Sequence, residues 1–333
     1  MAREDYKGIW VFAEQEHGTL HPTVFELLAK AAELKAVCGE KITAVLLGSG
    51  VRALAQELFD RGADEVILAE DAALEEYSAR PYQAAFTQLA QRGRPSIVLF
   101  GATPLGRDLA PRVMVSLDTG LTADAIDVGF DDDDGVFCQT TPAYGGKILA
   151  HIAILERRPQ MVTVHPQICR PLEPVPGSAG VLREEKVDVR PDPDYLVEET
   201  VSAEGADEAI DAAPVVVAGG RGIKSQEDLA MLGELAELLG GQVASSRPLV
   251  DCGWLEHDRQ IGQSGVTVAP KVIINAAISG SVQYQLGMRN AECIVAVNKA
   301  ADAPIFDIAH FGVVDDYRNF IPALIEELKA QDQ

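Results

Sequence analysis

Short apolar runs alternate with longer amphipathic segments through the first 120 residues of the chain. GIWVFAE (8–14) has the near-continuous apolar composition of a buried strand, and residues 22–38 carry apolar side chains at helical spacing until Gly39. The alternation then repeats, which predicts further strands at 42–48, 65–70 and 96–102 and further helices at 51–61, 81–93 and 106–117. Apolar strands separated by helices indicate a parallel sheet that is covered on both faces.

The pattern changes after this series. Residues 123–165 indicate short strands joined by turns, and in DDDDG (131–135) the pair Asp134-Gly135 suits a hairpin. The run of aspartates could also suggest calcium, but the alternating ligand spacing and the terminal glutamate of an EF-hand loop are missing. We therefore predict a solvated turn here.

Proline and acidic residues are frequent in 166–213, which predicts an extended connector. A second strand–helix series begins at Pro214, with a strand up to Gly219 and a helix that starts at Ser225 and has Asp228 in the capping-box position. The chain is therefore predicted to be an α/β protein with a mostly parallel N-terminal α/β domain (1–190), an acidic, proline-rich connector (191–213) and a C-terminal Rossmann-like α/β domain (214–333).

The charge is strongly negative and uneven. The net charge is −23 over 333 residues. From Pro214 onward there are 9 basic and 15 acidic residues, a net −6, which leaves −17 for residues 1–213. Such a surface repels phosphate backbones and excludes nucleic acid as a partner. It serves either solubility alone or the steering of a basic protein partner.

The cysteines and histidines show no site of their own. The five cysteines are far apart and form no CxxC pair, which argues against a disulfide framework, a zinc site or an iron–sulfur cluster. The six histidines are scattered, without a metal-binding or triad pattern. No signal peptide or membrane-spanning run is visible, so we expect a cytoplasmic protein without membrane insertion.

Five short motifs follow one another in the last third of the chain. They are VVVAGGRGIKS (215–225), SSRPLVDCGW (245–254), QIGQSGVTVAP (260–270), ISGSVQY (278–284) and VNK (297–299). Each places glycines, small hydroxyl residues or a cation where a strand ends or a helix begins. Glycine lets the backbone approach a ligand, and a helix N-terminus attracts phosphate. The set predicts a cradle for a pyrophosphate and a flat ring system.

A competing motif lies in the first half of the chain. Gly48, Gly50 and Ala53 fit the GxGxxA dinucleotide fingerprint after a predicted strand, and Glu70 would be the acid on the ribose. This pattern supports an NAD-dependent dehydrogenase as one alternative function. A redox-inactive adenine-nucleotide-binding protein is a second alternative, and the visible spectrum of the purified protein would separate them.

The five C-terminal motifs together resemble those of the electron-transfer flavoprotein alpha subunit. Residues 101–128 and 142–152 resemble the same family, so the likeness covers essentially the whole chain. The resemblance implies FAD in the C-terminal domain and no nucleotide at Gly48. It implies an electron carrier rather than a stand-alone catalyst, paired with a beta subunit that carries AMP or a second FAD. Redox partners of the acyl-CoA dehydrogenase type would follow, and whether the complex bifurcates electrons stays open.

The resemblance also implies which residues contact FAD. It places Arg221 over the flavin ring, Ser246 on the phosphates, the Gln263–Ser264 pair at the ring edge, and Asn298 on the ribityl chain or pyrophosphate. The full expected set is Arg221, Ser246, Gly262, Gln263, Ser264, Ser279, Gly280, Ser281, Val282, Gln283, Tyr284, Asn298 and Asp316. Asp316 would lie near the adenosine end, and Asp315 is an adjacent rival.

Three positions depart from the family pattern. Ser264 stands where threonine is usual, Val266 where lysine is common, and Tyr284 where many members have histidine. Imidazole can become a cation, whereas a phenol can only donate a neutral hydrogen bond. We therefore expect the one-electron-reduced flavin to be less stabilised here than in members with histidine.

Overall fold

The computed structural model describes residues 5–131, 133, 135–143, 148–195, 197–198 and 209–331. The chain divides into two compact units. The first takes in the described residues up to 198, and the second takes in those from 209 onward. Each unit has its own hydrophobic core on both faces of a parallel sheet.

The first unit alternates strands and helices. Its strands are β1 (Ile9–Ala13), β2 (Gln15–Glu16), β3 (Thr19–Leu20), β4 (Ile42–Gly48), β5 (Glu65–Glu70), β6 (Ile97–Gly101), β7 (Gly120–Ala125), β8 (Asp127–Phe130), β9 (Phe137–Ala143), β10 (Ile148–Ile152), β11 (Gln160–Val164) and β12 (Val181–Glu184). Its helices are α1 (Pro22–Cys38), α2 (Ala55–Asp60), α3 (Ala79–Gly93) and α4 (Pro104–Ser116).

The main sheet of the first unit is parallel throughout, in the order β12-β5-β4-β1-β6-β11-β7. The side chains of β1 and β4 are fully buried, which is why their sequences read as unbroken apolar runs. The prediction of a parallel α/β fold is confirmed. The chain moves outward from β1 to β5 and then returns to the other side of β1 with β6, so the strand order reverses at β1 and β6.

Helix α1 shows how local chemistry sets the element boundaries. His21 is its N-cap, and its Nδ1 accepts a hydrogen bond from the Thr23 amide at 3.2 Å. Pro22 follows at the first helical position, where a missing amide proton costs nothing. Gly39 ends the helix with φ +70°, the left-handed conformation that glycine adopts most easily.

A three-stranded antiparallel sheet, in the order β10-β9-β8, follows the alternating series. Phe130 of β8 lies opposite Phe137 of β9, and the Asp131 amide donates to the Val136 carbonyl at 2.9 Å. Gly135 has φ +65°. The expected hairpin between residues 130 and 137 is therefore present, although Asp134 lies outside the described residues.

The prediction of an extended connector over 166–213 is wrong in part. Strand β12 pairs with β5 at the edge of the main sheet. Its side chains are mostly exposed and its charged members form ion pairs, Arg183 with Glu65 at 3.1 Å and Glu184 with Arg52. The apolar pattern of a strand is therefore absent. Farther on, Asp192 and Asp194 both accept hydrogen bonds from Arg80.

The second unit repeats the strand–helix alternation. Its elements are β13 (Val215–Gly219), α5 (Asp228–Leu238), β14 (Gln242–Ser246), α6 (Arg247–Asp251), β15 (Gln260–Ile261), β16 (Val272–Ala276), α7 (Val282–Leu286), β17 (Cys293–Val297), β18 (Phe311–Val313) and α8 (Tyr317–Gln331). The sheet is parallel, in the order β15-β14-β13-β16-β17-β18. This is the Rossmann strand order, with its reversal between β13 and β16.

The predicted start of the first helix in this unit is wrong by three residues. Helix α5 begins at Asp228 rather than Ser225, because 225–228 forms a turn in which the Asp228 amide donates to the Ser225 carbonyl at 3.2 Å. The Asp228 carboxylate accepts hydrogen bonds from Tyr317 at 2.7 Å and from Arg318 at 2.8 Å. The acid therefore links α5 to the start of α8, beyond any capping role.

Candidate cofactor site

A cavity of about 900 Å³ opens at the carboxyl ends of the second unit's strands. The turn after every strand of this sheet contributes to its lining, at 221–222, 246–248, 262–264, 277–281, 298–299 and 315–318. The strand order reverses between β13 and β16, which opens a crevice at this edge. Open parallel sheets bind their ligands in such crevices.

The cavity brings together twelve of the thirteen residues expected to contact FAD. The twelve are Arg221, Ser246, Gly262, Gln263, Ser264, Ser279, Gly280, Ser281, Gln283, Tyr284, Asn298 and Asp316. Val282 is the exception, since it is the first residue of α7 and is not among the lining residues. Asp315, the rival of Asp316, also lines the cavity.

Closely packed backbone forms much of the cavity wall. A Cβ on Gly220 would lie 2.3 Å from the Ala277 carbonyl oxygen, and a Cβ on Gly280 would lie 2.5 Å from the Ile305 nitrogen. Gly280 also has φ +81°. Gly220 and Gly280 are therefore required by the close approach of neighbouring turns.

Ala277 adopts a conformation that is rare for a residue with a side chain. It follows β16 directly, with φ +55°. Its amide donates to the Val297 carbonyl at 2.8 Å, and its carbonyl accepts from the Gly222 amide at 3.3 Å. These bonds hold the strained backbone in place, and strain of this kind is concentrated at ligand sites.

The cavity carries cations without protein partners. The guanidinium of Arg221 is exposed and makes no hydrogen bond or ion pair with the residues that the structure describes. The same holds for the ammonium group of Lys224, within those same ranges of the chain. Both groups are therefore free to neutralise an anionic ligand.

Other cations of the lining are already paired. Lys299 lies 2.6 Å from Asp316, and this partner holds the pKa of the Asp316 carboxyl below its ordinary value. Arg247, the first residue of α6, lies 3.4 Å from Asp251. Sequence reasoning missed Lys224, Arg247, Lys299 and Arg318 as lining residues. The first three adjoin or lie within the quoted motifs, which was the available signal.

The two adjacent aspartates have different surroundings. Asp315 accepts a hydrogen bond from the Asp316 amide at 2.6 Å and one from the Asn319 side chain at 3.0 Å. Asp316 accepts from the Arg318 amide at 3.0 Å and faces Lys299. Asp315 therefore organises the start of α8, while Asp316 couples that start to the VNK turn.

The side chains of Gln260 and Ser264 are held in place by a hydrogen bond to each other. Gln260 is buried, and its Nε2 donates to the Ser264 hydroxyl oxygen at 3.1 Å. The Gln263 amide donates to the Gln283 carbonyl at 2.9 Å, which ties this turn to α7. The Ser264 hydroxyl therefore has its own proton left to donate into the cavity.

Tyr284 contributes a buried wall. Its hydroxyl donates a 2.6 Å hydrogen bond to Oδ1 of Asn275, a fully buried residue of β16. Burial raises the pKa of the Tyr284 phenol, so this side chain stays neutral. The hydrogen bond that the sequence allowed Tyr284 to donate is thus made inside the protein.

The competing fingerprint at Gly48 has a different environment. Glu70 accepts a 2.8 Å hydrogen bond from the Val51 amide, so a carboxylate lies where a phosphate would have to bind. At the strand reversal of the same sheet, buried Glu14 accepts a 2.6 Å hydrogen bond from the Thr103 hydroxyl, and burial raises its pKa. This geometry argues against a dinucleotide site in the first unit.

The described residues show neither a metal site nor a membrane span. Within them, no cluster of three or more histidine, cysteine or acidic side chains is arranged to hold a metal ion. The described helices also include none with the length and hydropathy needed to cross a bilayer.

Comparison with known proteins identifies the family. Residues 9–190 match the electron transfer flavoprotein domain, and residues 209–289 match the electron transfer flavoprotein FAD-binding domain. The chain is 42% identical over 331 residues to the electron transfer flavoprotein subunit alpha of Megasphaera elsdenii, with 98% of each chain covered. It is 42% identical over 328 residues to protein FixB of Clostridium saccharobutylicum, covering 98% of this chain and 97% of the relative.

A more distant relative agrees with these two. Protein FixB of Rhizobium meliloti is 40% identical over 335 residues, which cover 97% of this chain and 93% of the relative. Both halves of the chain match the family, and the relatives are matched over nearly their whole lengths. The chain therefore belongs to the electron transfer flavoprotein alpha-subunit family, which includes the FixB proteins.

Proposed function

We propose that this chain binds FAD in the cavity of its second unit and carries electrons between redox proteins as the alpha subunit of a heterodimeric electron-transfer flavoprotein. The observation that carries the proposal is the convergence of twelve of the thirteen expected residues on one cavity at the carboxyl ends of a Rossmann-ordered sheet. Arg221 adds to this support, because it lines the cavity and has no partner in the part of the chain that the structure describes.

The residues of the cavity fit a flavin dinucleotide. A diphosphate requires cations and hydrogen-bond donors, and Arg221, Lys224, Ser246 and Ser279 supply them. Glycine turns such as that at Gly280 present backbone without a side chain to a ligand. The volume of about 900 Å³ lies within the range of pockets that enclose large ligands.

Bound FAD would supply the capacity to accept and release electrons. The chain would adjust the free energy of that exchange. Arg221 would favour negative charge on its ligand, and each ~1.4 kcal/mol of preference for the reduced form raises a one-electron potential by about 59 mV. Ser264 would donate a hydrogen bond, while Tyr284 would exclude water and stay neutral.

The family implies a partner protein, because electron transfer flavoprotein alpha subunits pair with a beta subunit. We further propose that residues 1–190 contact this beta subunit, which would carry AMP or a second FAD. The apolar side chains exposed on and after β10 support a contact there, namely Ile148, Leu149, Ile152 and Leu155. An acyl-CoA dehydrogenase or a comparable redox protein would exchange electrons with the complex.

The test is the visible spectrum of the chain purified together with its beta subunit. We expect flavin absorption, and release of FAD from the alpha chain on denaturation. Dithionite should bleach the absorption, and air or an electron acceptor should restore it. A colourless complex that binds only an adenine nucleotide would contradict the proposal and favour a redox-inactive nucleotide-binding protein.

A further inference from the structure

Tyr284 of the cavity lining is hydrogen-bonded to Asn275, a residue that has no role in the function described above. Asn275 is fully buried in β16. Its Nδ2 donates to the Val295 carbonyl at 3.0 Å, and only the NH₂ group of an amide can do so. The orientation of the amide is therefore fixed, and Oδ1 faces Tyr284 as an acceptor.

The phenol has a single proton to give. Tyr284 donates that proton to Asn275 Oδ1 at 2.6 Å, a short hydrogen bond in a buried setting. What remains on the phenol oxygen is acceptor capacity. Tyr284 also lines the cavity, so the residue adjoins the space of a ligand while its hydroxyl proton is engaged by Asn275.

We propose that Asn275 is a positioning residue that withholds the Tyr284 hydroxyl proton from the bound flavin and thereby keeps the reduction potential of the flavin low. The inference rests on the proposed FAD site. Its physical basis is that a hydrogen bond donated to an electron-accepting ring stabilises the reduced form. Removing the acceptor Asn275 would free the phenol to make that bond instead.

The experiment measures the midpoint potential of FAD in the complex with the beta subunit for three variants: Asn275→Leu, Tyr284→Phe and the double variant. Asn275→Leu leaves the hydroxyl without its acceptor, so the potential should become more positive. The same substitution in the Tyr284→Phe background should produce no such shift, because no phenol proton remains. A purely structural effect of Asn275→Leu would appear equally in both backgrounds and would overturn the proposal.

If Asn275→Leu fails to fold, the midpoint potential of FAD in Tyr284→Phe alone still tests the proposal. A more negative potential in Tyr284→Phe would mean that the hydroxyl does donate to the flavin, and the proposal would be wrong. Flavin content separates the two levels of inference. Variants that all retain FAD but show the wrong pattern of potentials overturn only the role of Asn275, whereas a wild-type complex without FAD overturns the proposed function with it.

Discussion

Arg221 differs from the other arginines of the cavity lining in having nothing within the described structure to neutralise it. Arg247 lies 3.4 Å from Asp251 and Arg318 lies 2.8 Å from Asp228, so a ligand that recruits either must compete with a carboxylate. Arg221 stands between Gly220 and Gly222, which offer no side chain to cover it. It can therefore bind an anion without giving up an existing bond.

We expect Arg221→Gln to weaken FAD binding about 10- to 100-fold, which corresponds to the loss of one charge-assisted interaction. The potential of the remaining bound flavin should become more negative. Fluorescence titration of the apo complex with FAD and spectroelectrochemistry would measure the two effects. Arg289→Gln is a matched control, since Arg289 is exposed and outside the cavity lining. Equal losses in both variants would show that the effect is only long-range charge.

Glu26 is a second residue whose chemistry follows from its surroundings. It lies in α1 with 7% of its surface exposed, and burial raises its pKa to about 7. Backbone amides of 167–169 donate to the carboxyl group and partly oppose this shift, while Oε2 has no hydrogen-bond partner among the described residues. The folded state therefore holds the proton of Glu26 more tightly than the unfolded state does.

The raised pKa of Glu26 predicts the direction in which the stability of the protein changes with pH. The free energy of unfolding should fall as the pH rises from about 4.5 to about 7, with a contribution from Glu26 of at most about 3 kcal/mol. Glu26→Gln does not titrate, so the stability of the wild type relative to this variant should decrease over the same window. Urea unfolding at several pH values would measure the difference. Exposed Glu57→Gln serves as the control, and a difference that rises with pH would refute the assignment.

Among the secondary-structure elements, the turns that follow the strands determine the shape of the cavity. Their glycines allow backbone-to-backbone contacts, as at Gly280 against Ile305 and Gly220 against Ala277. A side chain at such a position must displace backbone that is itself hydrogen-bonded. The cradle is therefore specified by turn geometry as much as by polar side chains.

Gly280→Ala should destabilise the second unit by at least about 2 kcal/mol, because φ is +81° and the new Cβ would lie 2.5 Å from the Ile305 nitrogen. FAD occupancy should fall with it. The matched control is Gly233→Ala within α5, where a Cβ meets nothing within 4 Å. That change should stabilise the unit by about 0.5–1 kcal/mol. Equal effects of the two substitutions in chemical denaturation would disprove the argument.

The sequence predicts elements best where burial is complete. Helix α1 and strand β4 have the predicted bounds, because a capped amphipathic stretch and an apolar run leave little choice. Strand β12 was missed because its exposed edge position needs ion pairs rather than apolar side chains. Helix α5 starts later than predicted because residues 225–228 form a turn, and the Asp228 side chain bonds to residues of α8 about 90 positions later in the chain.

In the candidate site, too, the sequence predicts some features and leaves others to tertiary contacts. Motif spacing was enough to place the polar lining residues, since each motif follows a strand of one parallel sheet. The link from Tyr284 to Asn275 was not predictable, because Asn275 lies inside an apolar strand and belongs to none of the motifs. Which cations stay free was also beyond the sequence, since pairing depends on contacts such as that between Lys299 and Asp316.

The division into two units matters most for the whole molecule. Each unit contains one of the chain's two tryptophans: Trp10 is buried in the first core, and Trp254 packs against the second. The fluorescence of each can therefore report one unit. A ligand that binds only one unit should stabilise that unit by mass action.

We expect FAD at 100 times its dissociation constant to stabilise the second unit by about 2.7 kcal/mol and to leave the first unit nearly unchanged. Single-tryptophan variants, Trp10→Phe and Trp254→Phe, would separate the two unfolding curves. The curve reported by Trp254 should shift with FAD, and that reported by Trp10 should not. Equal shifts of both curves would show that the units unfold as one cooperative block.

The hydrogen bond from Thr103 to buried Glu14 has a consequence for the redesign of the chain. The two sheets reverse their strand order in the same way, and open parallel sheets bind ligands at the carboxyl edge of such a reversal. At the reversal of the first sheet, the Glu14 carboxylate and the Thr103 hydroxyl are hydrogen-bonded to each other. Two substitutions that shorten this pair are the natural starting point for engineering an additional nucleotide into a fold that already accommodates one.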